Sequence, residues 1–152
     1  MIHTPVKDPQ FGIAKIPDER RLQFLPAHLP FNLLYMKYEQ TVFQLAKEKI
    51  PSYNGGVWDF YEIMANGLIA PALVWETDKE EIEILTSNWS TRTNPFTASM
   101  AICVIALSNL SFFEKNRDYR DLLVKQYHII DEWMMNSGDE RVDRSAYIDI
   151  VD

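Results

Sequence analysis

The chain has 152 residues, of which 47% are hydrophobic and 24% charged, so it is long and apolar enough to form one globular domain. Its 22 acidic and 15 basic residues give a net charge of −7, which disfavours general binding to the phosphate backbone of nucleic acids. The single cysteine, Cys103, excludes an internal disulfide framework and a thiolate zinc cluster, and it is typical of a reducing compartment.

The first thirty residues contain five of the eight prolines of the chain. Because proline has no backbone N–H to donate, residues 1–30 are predicted to form an extended strap that is packed on the domain. Residues 31–152 then form the single domain itself.

Hydrophobic side chains recur at helical spacing over residues 32–50, and Pro51 ends the pattern. Two strands are predicted next, at residues 57–64 and 68–75, and the Asn66-Gly67 pair between them favours a two-residue hairpin turn. Pro71 cannot donate to a strand ladder, which predicts an edge or a bulge in the second strand. Residues 81–87 alternate between polar and apolar, so they are predicted to complete a three-stranded antiparallel meander.

Three helices are predicted in the second half of the chain. Asn94 followed by Pro95 is a good helix start, and the residues after it are apolar on nearly every side, which indicates a buried core helix rather than a membrane span. Residues 119–136 form an amphipathic helix that Asp118 would cap, with Gly138 at its left-handed end. Residues 139–152 form a last short helix.

These elements predict an α+β fold in which a small three-stranded antiparallel sheet packs against about four helices. Residues 1–10 lack the basic and apolar run of a secretory signal, so we expect a cytoplasmic protein that contacts no membrane and is a monomer or a weak dimer.

Few residues are suited to catalysis. The three histidines, His3, His28 and His128, share no metal-ligand spacing, and the chain has no glycine-rich phosphate loop. We therefore predict no catalytic residue, no metal and no cofactor.

Two alternative functions stay open. One is a metal-dependent nucleic-acid enzyme that uses the acidic run between residues 76 and 83, and the other is a module that stacks bases on the aromatic strand around Trp58.

Residues 53–61 read YNGGVWDFY and are the most individual part of the chain. With residues 21–26 (RLQFLP) upstream, 96–101 (FTASMA) downstream and the closing IVD, they resemble, in the same order, the blocks of the ArdB/KlcA-type antirestriction proteins of plasmids and other mobile elements. The positions that carry the resemblance, to which we assign structural roles, are Arg21, Phe24, Pro26, Tyr53, Gly55, Gly56, Trp58, Phe60, Tyr61, Gly67 and Pro71.

The resemblance implies a small α+β protein that relieves type I restriction of incoming DNA in the cell, indirectly and without catalysis. It also implies a host protein linked to type I restriction enzymes as the partner, and no strong binding to nucleic acid.

The acidic C-terminal face is the predicted contact surface for that partner. Residues 131–152 carry seven acidic and two basic side chains. Charge in such a patch chiefly sets partner choice and encounter rate. The residues predicted to make the contact are Asp139, Glu140, Asp143, Asp149 and Asp152.

Overall fold

The computed structural model describes residues 10–30 and 33–152, which form an α+β fold of five strands and five α-helices. The strands are β1 (Phe11–Lys15), β2 (Trp58–Ala65), β3 (Leu68–Trp75), β4 (Ile82–Leu85) and β5 (Ser90–Thr93). The helices are α1 (Arg21–His28), which a short 3₁₀ helix (Asp18–Arg20) precedes, α2 (Leu34–Lys49), α3 (Pro95–Phe113), α4 (Arg117–Asn136) and α5 (Arg144–Val151).

The main sheet has three antiparallel strands in the order β1-β2-β3. The number of strands in this sheet is as predicted, but one of the three predicted segments is not part of it. The third strand is β1, in which Phe11 pairs with Ala65 and Lys15 pairs with Tyr61 of β2. The segment predicted to be third, residues 81–87, instead contributes β4, which pairs with β5 in a separate hairpin. Alternation of polar and apolar residues identifies a strand with one buried face, but it does not identify the partner of that strand.

The extended strap is not confirmed as a whole: residues 11–15 are extended as β1, the segment that follows is helical, and residues 1–9 of the prediction lie outside the described residues. Residues 18–28 are helical, and Pro26 lies inside α1. The helix buries Phe24 and Leu25, and the Phe24 ring stacks on Phe60 of β2 at 6.1 Å. The free energy gained by burying these two apolar side chains therefore exceeds the cost of the one backbone hydrogen bond that Pro26 cannot make.

The hairpin between β2 and β3 is as the sequence predicts. Asn66 and Gly67 both have positive φ, at 54° and 80°, which is the combination that a type I′ turn requires.

The predicted helices are present, with two differences at their starts: α4 has another cap, and α5 begins at Arg144 and not at residue 139. The Asn94 side chain accepts a hydrogen bond from the backbone N–H of Thr97 at 2.7 Å, which confirms the predicted start of α3. Helix α4 starts two residues earlier than predicted, because Asn116 caps it in place of Asp118. Gly138 follows α4 with a φ of 70°, as predicted.

Helix α3 covers the outer edge of β3 and satisfies its backbone with side chains. The Cys103 thiol accepts from the N–H of Leu73 and donates to its carbonyl, both at 3.3 Å, and the Ser99 hydroxyl accepts from the N–H of Trp75 at 3.0 Å. Pro71 lies two residues before Leu73, so its missing N–H falls on this outer side and costs no ladder bond. The predicted edge at Pro71 is therefore confirmed.

The core is built around α3, which packs against α2, α4, α5 and β3. This helix is long and apolar enough to cross a membrane by length and composition, yet more than half of its most apolar stretch is buried inside the fold. It is the buried core helix that the sequence predicts.

Replacing Ser99 by alanine tests the role of the seam between α3 and β3, that is, of the bonds from Ser99 and Cys103 to the backbone of β3. The change leaves the buried N–H of Trp75 without a partner, so we expect the free energy of unfolding to fall by about 1–3 kcal/mol. Urea denaturation measures the change, and Ser108→Ala, at an exposed position of the same helix, is the control. Equal stability of the two variants would contradict the role assigned to Ser99.

Candidate functional site

The block at residues 53–61 forms an aromatic cluster where the chain enters β2. The Trp58 indole N–H donates to the Tyr53 hydroxyl at 3.1 Å, and the Tyr53 ring meets the edge of Trp75 at 5.1 Å. The Trp75 indole N–H donates in turn to the carbonyl of Gly55 at 3.2 Å. The two tryptophans thus fasten the loop to the sheet through their polar atoms while their rings are buried.

Both glycines of this loop are in the left-handed region, with φ of 86° at Gly55 and 116° at Gly56. Side chains rarely adopt these conformations, which accounts for two successive glycines at this point.

Arg21 fixes helix α1 over the same strand. Its guanidinium lies 4.4 Å from the centre of the Phe60 ring, donates to the carbonyl of Trp58 and is 3.9 Å from the Asp59 carboxylate. The carbonyl of Trp58 is therefore satisfied by an arginine where β1 no longer runs alongside β2.

Burial decides between the interpretations of the aromatic strand. Trp58 is only 3% exposed and Phe60 is likewise buried, while Tyr61 packs against Phe96 of α3. Trp58 and Phe60 therefore cannot stack on bases while the protein is folded, and both rings serve packing.

The histidines are not brought together. Burial lowers the pKa of His28, and the Glu62 carboxylate, 3.9 Å from its Nε2, acts in the opposite direction. His128 is exposed on α4, and His3 lies outside the described residues. Within residues 10–30 and 33–152, no three His, Cys, Asp or Glu side chains are placed to hold a metal ion, the acidic run at 76–83 included.

Cys103 is buried in the seam between α3 and β3, as the sequence predicts. Burial raises the pKa of its thiol to about 11, against the hydrogen bonds from Tyr38 and the Leu73 backbone, which act to lower it. A thiol in this state is a structural group and not a nucleophile.

The C-terminal segment is held against the start of α3 by a polar network. The Thr97 hydroxyl donates to the carbonyl of Arg141 at 3.2 Å and accepts from the N–H of Asp143 at 2.9 Å. Arg141 also lies over the Phe96 ring, 4.6 Å from its centre. The position of this segment is therefore fixed by α3.

The structure divides the acidic residues of this face into two groups. Asp139 forms a two-pronged ion pair with Arg141, and Asp143 caps α5 through the N–H of Ala146 and accepts from the Thr93 hydroxyl. These two carboxylates therefore hold the local structure of the segment. Glu140, Asp149 and Asp152 are exposed.

Trp89 is an exposed aromatic residue that the sequence analysis did not single out. It lies in the turn between β4 and β5 and is 82% exposed. Trp89 is a single aromatic residue within the polar stretch TSNWS, so hydrophobic periodicity predicts no role for it. The one signal in the sequence is its residue type, since tryptophan is enriched at binding surfaces.

Comparison with known proteins finds similarity in fold over nearly the whole chain. No protein-family model matches the chain, and no curated protein matches it. The solved structure of the KlcA and ArdB proteins matches it with a TM-score of 0.79 and 21% identity, over 99% of this chain and 100% of the other. Those proteins are described as showing a novel fold and antirestriction activity against type I DNA restriction systems in vivo but not in vitro.

The chain therefore has the fold of the KlcA and ArdB proteins, which bears out the resemblance that the ordered sequence blocks indicate.

Replacing Trp58 by alanine tests whether this residue acts through folding. Loss of a buried tryptophan costs about 3–5 kcal/mol of unfolding free energy, and the Tyr53 hydroxyl also loses its donor. Urea denaturation should show a fall on this scale, whereas Val57→Ala, at the exposed neighbouring position, should leave stability nearly unchanged. A Trp58→Ala protein as stable as the parent would rule out the structural role.

Proposed function

We propose that this chain is an antirestriction protein of the ArdB/KlcA type, which relieves type I restriction of incoming DNA in the cell. The observation that carries the proposal is the shared fold over almost the whole of both chains. The four ordered sequence blocks support it independently, because they consist of residue types in a fixed order and do not depend on the fold.

The proposed mechanism is contact with another protein, without catalysis. The net charge of −7 opposes binding to DNA itself, and the aromatic strand is buried. Activity of the KlcA and ArdB proteins in vivo but not in vitro supports a requirement for a further component of the cell. We therefore propose a cytoplasmic host protein linked to the restriction enzyme as the partner.

The contact is proposed for the acidic C-terminal face, now restricted to its exposed members Glu140, Asp149 and Asp152. These carboxylates are free to meet a partner, whereas Asp139 and Asp143 hold the segment in position. The segment that carries these residues is held against the start of α3 at Arg141 and Asp143.

The test of the function is restriction in living cells. Expression of the protein in a host with a type I restriction system should raise the plating efficiency of unmodified phage severalfold. Modified phage, and a host without the restriction enzyme, should show no effect. Added to the purified enzyme, the protein should leave DNA cleavage unchanged. Unaltered restriction with the protein well expressed would refute the proposal.

Neutralising the three exposed carboxylates tests the contact surface. The variant Glu140→Gln, Asp149→Asn, Asp152→Asn should fold normally, because exposed charges each contribute within about 0.5 kcal/mol. It should nevertheless lose restriction relief. The matched control is Glu76→Gln, Asp78→Asn, Glu80→Gln, which removes the same charge from another exposed acidic segment. Full relief by the first variant, or equal loss in both, would count against the C-terminal face.

A further inference from the structure

The exposure of Trp89 sets it apart from the other tryptophans. It is 82% exposed, whereas Trp58, Trp75 and Trp133 are all buried in the core. Tryptophan is the residue type most enriched among the few side chains that carry the binding energy of protein interfaces. A solvent-exposed indole at the tip of a hairpin is therefore a candidate anchor for a partner.

The turn that carries Trp89 is held in one conformation. The N–H of Thr86 donates to the carbonyl of Trp89 at 2.8 Å, and the N–H of Trp89 donates to the Thr86 hydroxyl at 3.0 Å. Because the backbone on either side of the indole is already ordered, little conformational entropy remains to be lost on binding.

The turn is also joined to the acidic face. The Ser87 hydroxyl donates to the carbonyl of Asp152 at 3.2 Å, which places the turn beside the last turn of α5. Asp149, in the last turns of α5, and Asp152, which directly follows the helix, are both exposed there. The β4–β5 hairpin and α5 with the residue after it carry Glu83, Asp149 and Asp152 against Arg92 and Arg144. Arg92 is held in an ion pair with Glu81 at 2.7 Å and Arg144 lies at the opposite end of α5, so the charges at the end of α5 that meets the turn are the carboxylates of Asp149 and Asp152.

We propose that Trp89, with Asp149 and Asp152 beside it, is the surface through which this protein binds its partner, a protein with a basic surface. The indole enters an apolar pocket of the partner, and the two carboxylates meet lysine or arginine side chains at the rim of that pocket. A buried aromatic anchor within a charged rim is the usual organisation of a specific interface. The inference rests on the proposed function, because it takes the bound protein to be the partner in restriction relief. It adds Trp89 as the anchoring residue and a basic surface as the chemistry of that partner.

Restriction relief by matched variants is the first part of the experiment. Trp89→Ala should weaken partner binding by roughly 30-fold or more, the scale of a hot-spot residue, and should abolish relief with the melting temperature unchanged. The control is Phe112→Ala with Phe113→Ala, since these rings are 81% and 77% exposed at the end of α3. This control should keep full relief. Full relief by Trp89→Ala would overturn the inference.

Photo-crosslinking in restricting cells is the second part, and it decides the matter even if Trp89→Ala folds poorly. A photoreactive p-benzoylphenylalanine is placed at position 89 or at position 112, and the crosslinked peptides are sequenced by mass spectrometry. We expect a discrete adduct from position 89 alone, with lysine or arginine in the captured peptide, and its loss when Asp149→Lys and Asp152→Lys are added.

Four results of the crosslinking would overturn the inference: no adduct, an acidic captured peptide, the same adduct from position 112, or an adduct with a second copy of this chain. Failure of the proposed function is distinguishable from failure of the inference. A parent protein that gives the position 89 adduct without relieving restriction overturns the function alone, whereas relief that survives Trp89→Ala overturns the surface alone.

Discussion

Covering the outer edge of β3 is the constraint on which the rest of this structure depends. A strand at the edge of a sheet presents unpaired N–H and C=O groups, and burying them without partners is costly. Here the partners are the side chains of Ser99 and Cys103 on a helix, and the hydroxyl of Tyr38, which donates to the carbonyl of Pro71. Because hydroxyl and thiol groups have to reach particular backbone atoms, the position of α3 along β3 is fixed.

The position of α3 then determines that of the C-terminal face. The first turn of α3 supplies Asn94 and Thr97, both of which bind the carbonyl of Arg141. From there Asp143 starts α5 and accepts from Thr93 of β5, so the β4–β5 hairpin is positioned by the same network. The surface proposed for partner binding is thus set, step by step, by the seam in the core.

Local features of the fold could be predicted from the sequence, and long-range pairing could not. The Asn66-Gly67 turn, the Asn94 cap and the edge at Pro71 each follow from the conformation or hydrogen-bonding capacity of one or two residues. Residues 81–87 cannot pair with the outer edge of β3 because α3 covers that edge, and nothing within residues 81–87 encodes this. Nothing local to β2 identifies β1, about 45 residues upstream, as its other neighbour. The helix at residues 21–28 could not be predicted from the proline content, because Pro26 disfavours a helix locally and the packing of Phe24 on Phe60 of a distant strand stabilises it. At the site, the charge of residues 131–152 was visible in the sequence, but the pairing of Asp139 and the capping by Asp143 depend on Arg141 and Ala146 in their folded positions.

The state of Cys103 has a practical consequence for biophysical work on this protein. Burial raises the pKa of this thiol to about 11, so the reactive thiolate is scarce near neutral pH, and the sulfur is shielded from solvent as well. A cysteine introduced on the surface can therefore take a maleimide dye or spin label without prior removal of the native one. The rate at which alkylating reagents modify Cys103 then reports how often α3 separates from β3, since the reagents reach the thiol only in molecules in which these two elements have come apart.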